Sequence, residues 1–279
     1  MRIIEPKVEL LSELNISPES HIARCARLCY GKEYKESNQE ADEKMVDGLI
    51  KRGHLSMLRH SSAYFVFTNH LPEEFKSEYV NTLSQEDYIY ASTNGQFTLE
   101  HNNKADLNSH VFLNLCRKYP ELFELYRLTF CITTQISTSR ELNRKSPNAI
   151  AERSTRYCSS KDGLLICRPW WFKHSIEDIT KGNCTYAEKW YYDNMINTEE
   201  VYKVLLDTNM RPEDARGILP LDTATKVIYT YSIREWQHIL DLRYYGTTGK
   251  PHPNAKLIVG KIRDEINNFA KEHNIDYQV

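Results

Sequence analysis

Apolar residues recur along this 279-residue chain at two spacings. Near the C-terminus, Ile258, Ile262, Ile266 and Phe269 fall three or four apart between Pro253 and Lys271. That is the stripe of an amphipathic helix turning one face to a core. Trp236, Ile239, Leu240 and Arg243 fall near one face of a helix over Ile233 to Leu242. Met45, Val46 and Leu49 line another from Met45 to Arg52, which Gly53 stops. Further helices are expected over 21–30 after the cap region Ser17-Pro18-Glu19-Ser20, over 107–119, over 137–145 up to Pro147, and over 186–206. A short helix opens at Arg211-Pro212-Glu213-Asp214, where proline and two acids suit a first turn. Short β-branched and aromatic runs at 8–11, 63–68, 130–135 and 224–231 read as strands. Tyr88-Ile89-Tyr90 and Gln96-Phe97-Thr98-Leu99 read as two more, joined by a turn at Ser92-Thr93-Asn94-Gly95. Helices and strands mix without a βα repeat, so the expected class is α+β. The expected organisation is one domain over 1–279, a mixed or antiparallel sheet flanked by helices. The more polar and less regular stretch 71–127 reads as an insertion within it.

Composition narrows this picture only a little. Hydrophobic residues are 41% and charged residues 27%, ordinary for a soluble globular protein. A net charge of −2 argues against general nucleic-acid or membrane-surface binding. The longest apolar runs, such as Tyr64-Phe65-Val66-Phe67, are too short to span a bilayer, and Met1 to Pro6 lacks a signal pattern. A cytoplasmic protein is expected. The seven cysteines are odd in number and scattered, which argues against a disulfide framework. Cys25 and Cys29 share a helix face, but no second pair matches, so buried structural thiols are expected. His54 and His60 have no carboxylate between them, and no metal centre is expected. Trp170 and Trp171 read as a core or interface plug, and His252 as a fixed point before the last helix. Arg234-Glu235 reads equally well as a helix-surface ion pair.

Charge becomes informative when it is local. Between Arg144 and Tyr157, the cations Arg144, Lys145, Arg153 and Arg156 face one acid, Glu152, leaving four minus one, or three, positive charges. A cationic cluster on a near-neutral chain suits an anionic small molecule better than a long polyanion. Three other segments concentrate groups capable of chemistry: His54 to His60, Asp214 to Pro220, and Ser232 to Arg243. Ser154 has no His or Asp at triad-like local spacing, so its hydroxyl reads as a hydrogen-bonding group rather than a nucleophile.

These segments carry a resemblance. Glu152-Arg153-Ser154-Thr155-Arg156-Tyr157 resembles the E-x-S-x-R-Y end of the signature of flavin-dependent thymidylate synthases. The Arg-His-Arg that opens that signature falls on Arg144-Lys145-Ser146, where the first arginine matches and the next two residues differ. His54-Leu55-Ser56-Met57-Leu58-Arg59-His60 is similar to the family's H-x-S-x-x-E-H, with Arg59 in place of Glu. Ala215-Arg216-Gly217-Ile218-Leu219-Pro220 is similar to its A-R-x-x-L-P. Thr230 to Arg243 resembles its T-x-N-x-R-E-W block, with Ser232 in place of Asn. The resemblance implies methylation of dUMP at C5 to give dTMP, with methylenetetrahydrofolate as carbon donor. FAD reduced by NADPH supplies the hydride, and a homotetramer shares its sites between subunits. It implies dUMP binding by Glu141, Arg144, Glu152, Ser154, Arg156, Arg216 and Arg243, with Arg144, Ser154, Arg216 and Arg243 closest to the chemistry. It places FAD against His54, Ser56, Arg59, Lys145, Ser146, Ser232, Arg234 and His238. The altered flavin positions leave two alternatives: a related C5 transfer to a pyrimidine nucleotide, such as hydroxymethylation, with another donor or cofactor, or an inactive nucleotide-binding homologue.

Overall fold

The computed structural model describes residues 1–11, 14–32, 38–156 and 163–279. In chain order its elements are β1 (Arg2–Ile4), β2 (Lys7–Leu10), α1 (Pro18–Cys29), α2 (Gln39–Lys51), β3 (Ser62–Thr68), β4 (Asn81–Gln85), β5 (Tyr88–Asn94), α3 (Gly95–Glu100), α4 (Ser109–Lys118), β6 (Arg127–Gln135), α5 (Ile136–Leu142), β7 (Ile150–Glu152), β8 (Leu165–Cys167), α6 (Ile176–Lys181), α7 (Tyr186–Asp207), α8 (Pro212–Ala215), β9 (Ala224–Ser232), α9 (Ile233–Leu240) and α10 (Pro253–Glu272). The class is α+β. The main sheet is antiparallel in the order β2-β6-β9-β7, and a second antiparallel sheet runs β3-β5-β4. The parallel pairing lies in the small β1-β8 sheet. No helix among the described residues is long and apolar enough to cross a membrane.

The register Thr129↔Thr230 and Cys131↔Ile228 sorts the two long strands into faces, because side chains alternate along a strand. One face is apolar: Phe130 and Ile132 of β6 with Val227, Tyr229 and Tyr231 of β9 join Trp236 of α9 and the stripe Ile258, Ile262 and Ile266 of α10. Trp236 sits edge-on to Phe130 and Tyr231, with ring centroids 5.2 Å from each. The other face, under α1, is mixed: Cys131, Ile228 and Ala151 join Cys25 in a small apolar cluster, and a polar chain runs beside it. His21 of α1 reaches Thr129 at 3.0 Å, Thr129 meets Thr230 at 2.8 Å, and Thr230 meets His60 Nδ1 at 2.8 Å. Burial, reinforced by Arg127, pushes His60 down to about 3, and burial also lowers His21, so both imidazoles are neutral.

Several expectations are corrected. The turn at 92–95 and the strand after it are in fact the end of β5 and the helix α3. The Asn94 side chain accepts from the Gln96 and Phe97 amides and caps that helix. A Cβ on Gly95 would meet Ser61 Oγ at 2.3 Å, so only glycine fits where α3 passes the 3-10 turn Leu55–His60. The helix read over 137–145 ends at Leu142: the buried Tyr229 hydroxyl donates to Ser139 O and Asn143 Oδ1, both at 3.0 Å, and draws the chain out of helical geometry. The helix read from Met45 begins at Gln39, capped by Asn38. The helix read through Leu242 ends at Leu240 and widens into a π turn, Asp241–Tyr245, closed by Gly246 at φ 76°. Within 71–127, β4, β5, α3 and α4 form, and Phe112, Leu113 and Phe123 enter the main core. Trp170 is exposed, whereas Trp171 packs edge-on against Phe172 and Tyr191. As expected, Cys25 of α1 and Cys131 of β6 are buried, and Cys29 is half-buried. His252 caps α10 by accepting from the Asn254 amide.

Candidate functional site

The end of α5 and the π turn build the first cluster. Because Tyr229 holds Asn143, the chain turns outward at Arg144, which is exposed and donates Nη1 to the carbonyls of Arg140 and Asn143 at 3.2 and 3.0 Å. Arg243 projects from the π turn to the same place. Its Nε donates to Glu141 O at 3.0 Å and lies 3.8 Å from Glu141 Oε2. Burial and the neighbouring Arg144 guanidinium hold the Arg243 pKa below its usual value. The two arginines are therefore near enough to act on one another, with the Glu141 carboxylate 3.8 Å from Arg243, an arrangement that favours an added anion or a carbonyl-rich ring.

The second cluster lies where the chain leaves β7 and meets α8. The Ser154 amide donates to Cys29 O at 3.0 Å, anchoring the segment to the end of α1, and the Arg156 amide donates to Ser154 Oγ at 3.2 Å. Glu213 gathers three arginines. Its Oε2 accepts from Arg156 Nε and Nη2 at 3.3 and 3.2 Å, its Oε1 accepts from Arg211 at 3.5 Å, and its carbonyl accepts from Arg216 Nε at 3.0 Å. Arg156 holds the Glu213 carboxyl below the usual carboxylate range. Arg216 Nη1 donates to Thr155 Oγ1 at 2.9 Å. Glu152 joins the two clusters, because its Oε1 accepts from Ser139 Oγ of α5 at 3.0 Å.

The third cluster surrounds Glu235 at the start of α9. Ser232 and Glu235 form a capping box: the Glu235 amide donates to Ser232 Oγ at 3.2 Å and the Ser232 amide donates to Glu235 Oε2 at 2.8 Å. Lys145 Nζ lies 3.4 Å from Glu235 Oε1, and the buried Arg127 lies 3.8 Å from Oε2. Arg59 crosses above. It donates to Gln96 Oε1 at 2.7 Å, to Asn148 O at 2.9 Å and to Tyr79 Oη at 3.2 Å. Three of its five N–H groups are thus engaged, and its side chain lies against the loop two residues past Ser146.

The remaining expected residues stand apart. Arg234 and Glu235 do not pair. Consecutive helix residues point about 100° apart, and Arg234 instead donates to Glu124 at 3.0 Å and to Thr82 O at 2.9 Å. His54, Ser56, Ser146 and His238 are exposed. Tyr157 and Cys158 lie outside the described residues. Among the described residues no three His, Cys, Asp or Glu side chains converge as a metal site.

Three participants escaped the sequence reading. Glu213 was read only as a helix-start acid, although it organises three arginines. Glu235 was read as the partner of Arg234, although its spacing of three from Ser232 signals a capping box. Arg127 could have been found from its alternation with Thr129 and Cys131, which puts a charge on the mixed face of β6.

The same residues fall within a family match. A family model described as thymidylate synthase complementing protein matches residues 9–70 and 78–269. The chain is 26% identical over 170 residues to the flavin-dependent thymidylate synthase of Synechocystis sp., covering 57% of this chain and 77% of that protein. It is 27% identical over 186 residues to the probable flavin-dependent thymidylate synthase of Paramecium bursaria Chlorella virus 1, covering 63% of this chain and 82% of that one. Among solved structures, a UMP/dUMP methylase from Streptomyces cacaoi bound with 5-Br UMP aligns over 99% of this chain and 95% of its own, with 14% identity and a TM-score of 0.47.

Proposed function

Because this chain belongs to the thymidylate synthase complementing protein family, we propose that it is a methyltransferase-type enzyme that converts dUMP to dTMP, taking the carbon from methylenetetrahydrofolate and the hydride from FAD reduced by NADPH. The observation that carries this reading is the pair of arginine clusters. Arg144 and Arg243 with Glu141 offer donors to a flat ring bearing carbonyls. Arg156 and Arg216 with Ser154 offer forked donors and a hydroxyl to a phosphate.

The roles follow from the chemistry of the substrate. C5 of uracil is a weak nucleophile, and it attacks a one-carbon donor readily only from an enolate-like form of the ring, whose negative charge rests on a ring carbonyl oxygen. Arg243 beside Arg144 places fixed positive charge where that charge develops, in a partly buried setting that strengthens the interaction. Glu141 and Glu152 fix the arginine and the segment around them rather than exchanging protons. Two of the altered flavin positions, Arg59 and Lys145, keep donors suited to carbonyl and phosphate oxygens near the 145–148 loop. Arg59 sits on the 146–148 loop and restores there the cation that Ser146 lacks. Lys145 adds an ammonium, and His54, Ser56 and His238 present exposed donors. Ser232 caps α9 as the family's Asn would, since both side chains are good N-caps. FAD would be held by these groups and, when bound, supplies the hydride. The homotetramer implied by the family would bring the ring-facing cluster of one copy to the phosphate-facing cluster of another.

The test is product analysis. Purified protein given dUMP, methylenetetrahydrofolate, FAD and NADPH is expected to yield a nucleotide with the mass of dTMP. Unchanged dUMP, or a hydroxymethylated product, would overturn the reading.

A further inference from the structure

We infer that Tyr244 is a positioning residue for Arg243: gripped by Arg263 and admitted by Gly260, it fixes the π turn so that the Arg243 guanidinium is in place before substrate arrives. The inference rests on the reading that Arg243 faces the pyrimidine. Neighbouring residues of a helical turn point to different sides. Arg243 turns to α5, where its Nε donates to Glu141 O at 3.0 Å, and Tyr244 turns to α10. The Tyr244 hydroxyl accepts from Arg263 Nη1 at 2.6 Å, and the Arg263 guanidinium carbon lies 4.5 Å from the ring centroid. Asp264 fixes that guanidinium in turn, its Oδ1 accepting from Nε and Nη2 at 3.2 and 2.8 Å. Lys256 Nζ lies 5.2 Å from the same ring centroid, and the Tyr245 ring meets it edge-on at 5.0 Å.

Gly260 makes this contact possible. It lies inside α10, where glycine is a poor helix former, and a Cβ there would meet Tyr244 Cε2 at 3.1 Å and Cδ2 at 3.4 Å. The far end of the turn is tied as well. The Thr247 amide and hydroxyl both donate to Asp241 O, at 3.0 and 3.1 Å. A Cβ on Gly246 would meet Gly249 O and Pro251 Cδ at 2.9 Å, so the chain closes tightly there. π turns are rare and cluster at functional sites. Arg243 also has a reason to be held, because Arg144 bears the same charge close by. Without the Tyr244 tie the two cations would move apart, and substrate would have to bring them together again at a cost in affinity.

Calorimetry with dUMP on Tyr244→Phe and Gly260→Ala, each alone and combined with Arg243→Ala, tests the inference. Phenylalanine keeps the ring and removes the acceptor for Arg263, whereas alanine suits the helix and displaces the ring. Each is expected to weaken dUMP binding roughly two- to tenfold, the worth of one hydrogen bond, with a melting temperature close to wild type. In the Arg243→Ala background neither is expected to weaken it further, because both act through Arg243. Unchanged affinity in either single variant, or an equal loss with and without Arg243, would overturn the inference. Hydrogen exchange without nucleotide separates the positioning role from the substrate reading. Both variants are expected to exchange faster over 241–247 and not across β6 and β9, and unchanged exchange over 241–247 would also overturn the inference. If the wild-type chain binds no dUMP, the substrate reading fails, and the exchange result alone decides whether Tyr244 holds the turn.

Discussion

Arg243 draws its proposed role from its surroundings more than from its charge. It is held by a backbone carbonyl, faces another arginine, and is partly removed from water. Replacing it with alanine is expected to weaken dUMP binding roughly ten- to a hundredfold, read by calorimetry, while leaving the melting temperature close to wild type. Replacement by lysine should recover little, because a single ammonium cannot reproduce the fork. At the same scale, His21 and His60 link stability to pH. Their pKa values are lowered in the fold, His60 to about 3, whereas an unfolded histidine titrates near 6.5. The unfolded chain therefore binds more protons below about pH 6.5. Stability is complete above that pH and falls as pH drops, by about 1.4 kcal/mol per unit for each histidine. Urea denaturation at pH 7.5 and pH 5.5 checks this, and equal stability at both would contradict it. The motif residues were legible one by one in the sequence, but their partners were not. Nothing in the spacing of His21, Thr129, Thr230 and His60 announces that strand register will stack them.

At the scale of elements, local signals were legible wherever they were self-contained. Ser17 caps α1, the isoleucine stripe of α10 is buried, and proline opens α8. The misread elements were decided by distant contacts. β7 is three residues long and exists because Ala151 registers with Ile228. α5 stops early because Tyr229 reaches it from β9. At 95–100 the helix won because Asn94 caps it and Gly95 fits against Ser61, neither of which a strand-like run of residues reveals. Two outcomes follow from element energetics. Ser232→Ala is expected to destabilise the protein by about 1 kcal/mol through the lost cap of α9, whereas Ser232→Asn should be nearly neutral, as measured by urea denaturation. Ile262→Ala, in the fully buried stripe of α10, is expected to cost about 2–5 kcal/mol by the same measurement.

At the scale of the whole molecule, the antiparallel sheet divides labour between its faces. One face, apolar, holds α9 and α10 and forms the core, and the other, mixed, holds α1 on a small apolar cluster beside the buried histidine chain. The arginine clusters stand at the margins of this frame, one on α5 and the π turn, the other beyond β7 and on α8. The proposed site is composite: one copy presents Arg144 and Arg243 to the pyrimidine, and another presents Arg156 and Arg216 to the phosphate. The most direct measurement mixes two disabled chains. Arg243→Ala and Arg156→Ala, co-expressed with different tags and purified as a hybrid assembly, are expected to regain dTMP formation that neither variant shows alone, because some sites then combine two intact halves. A hybrid as inactive as both parents would contradict the composite site.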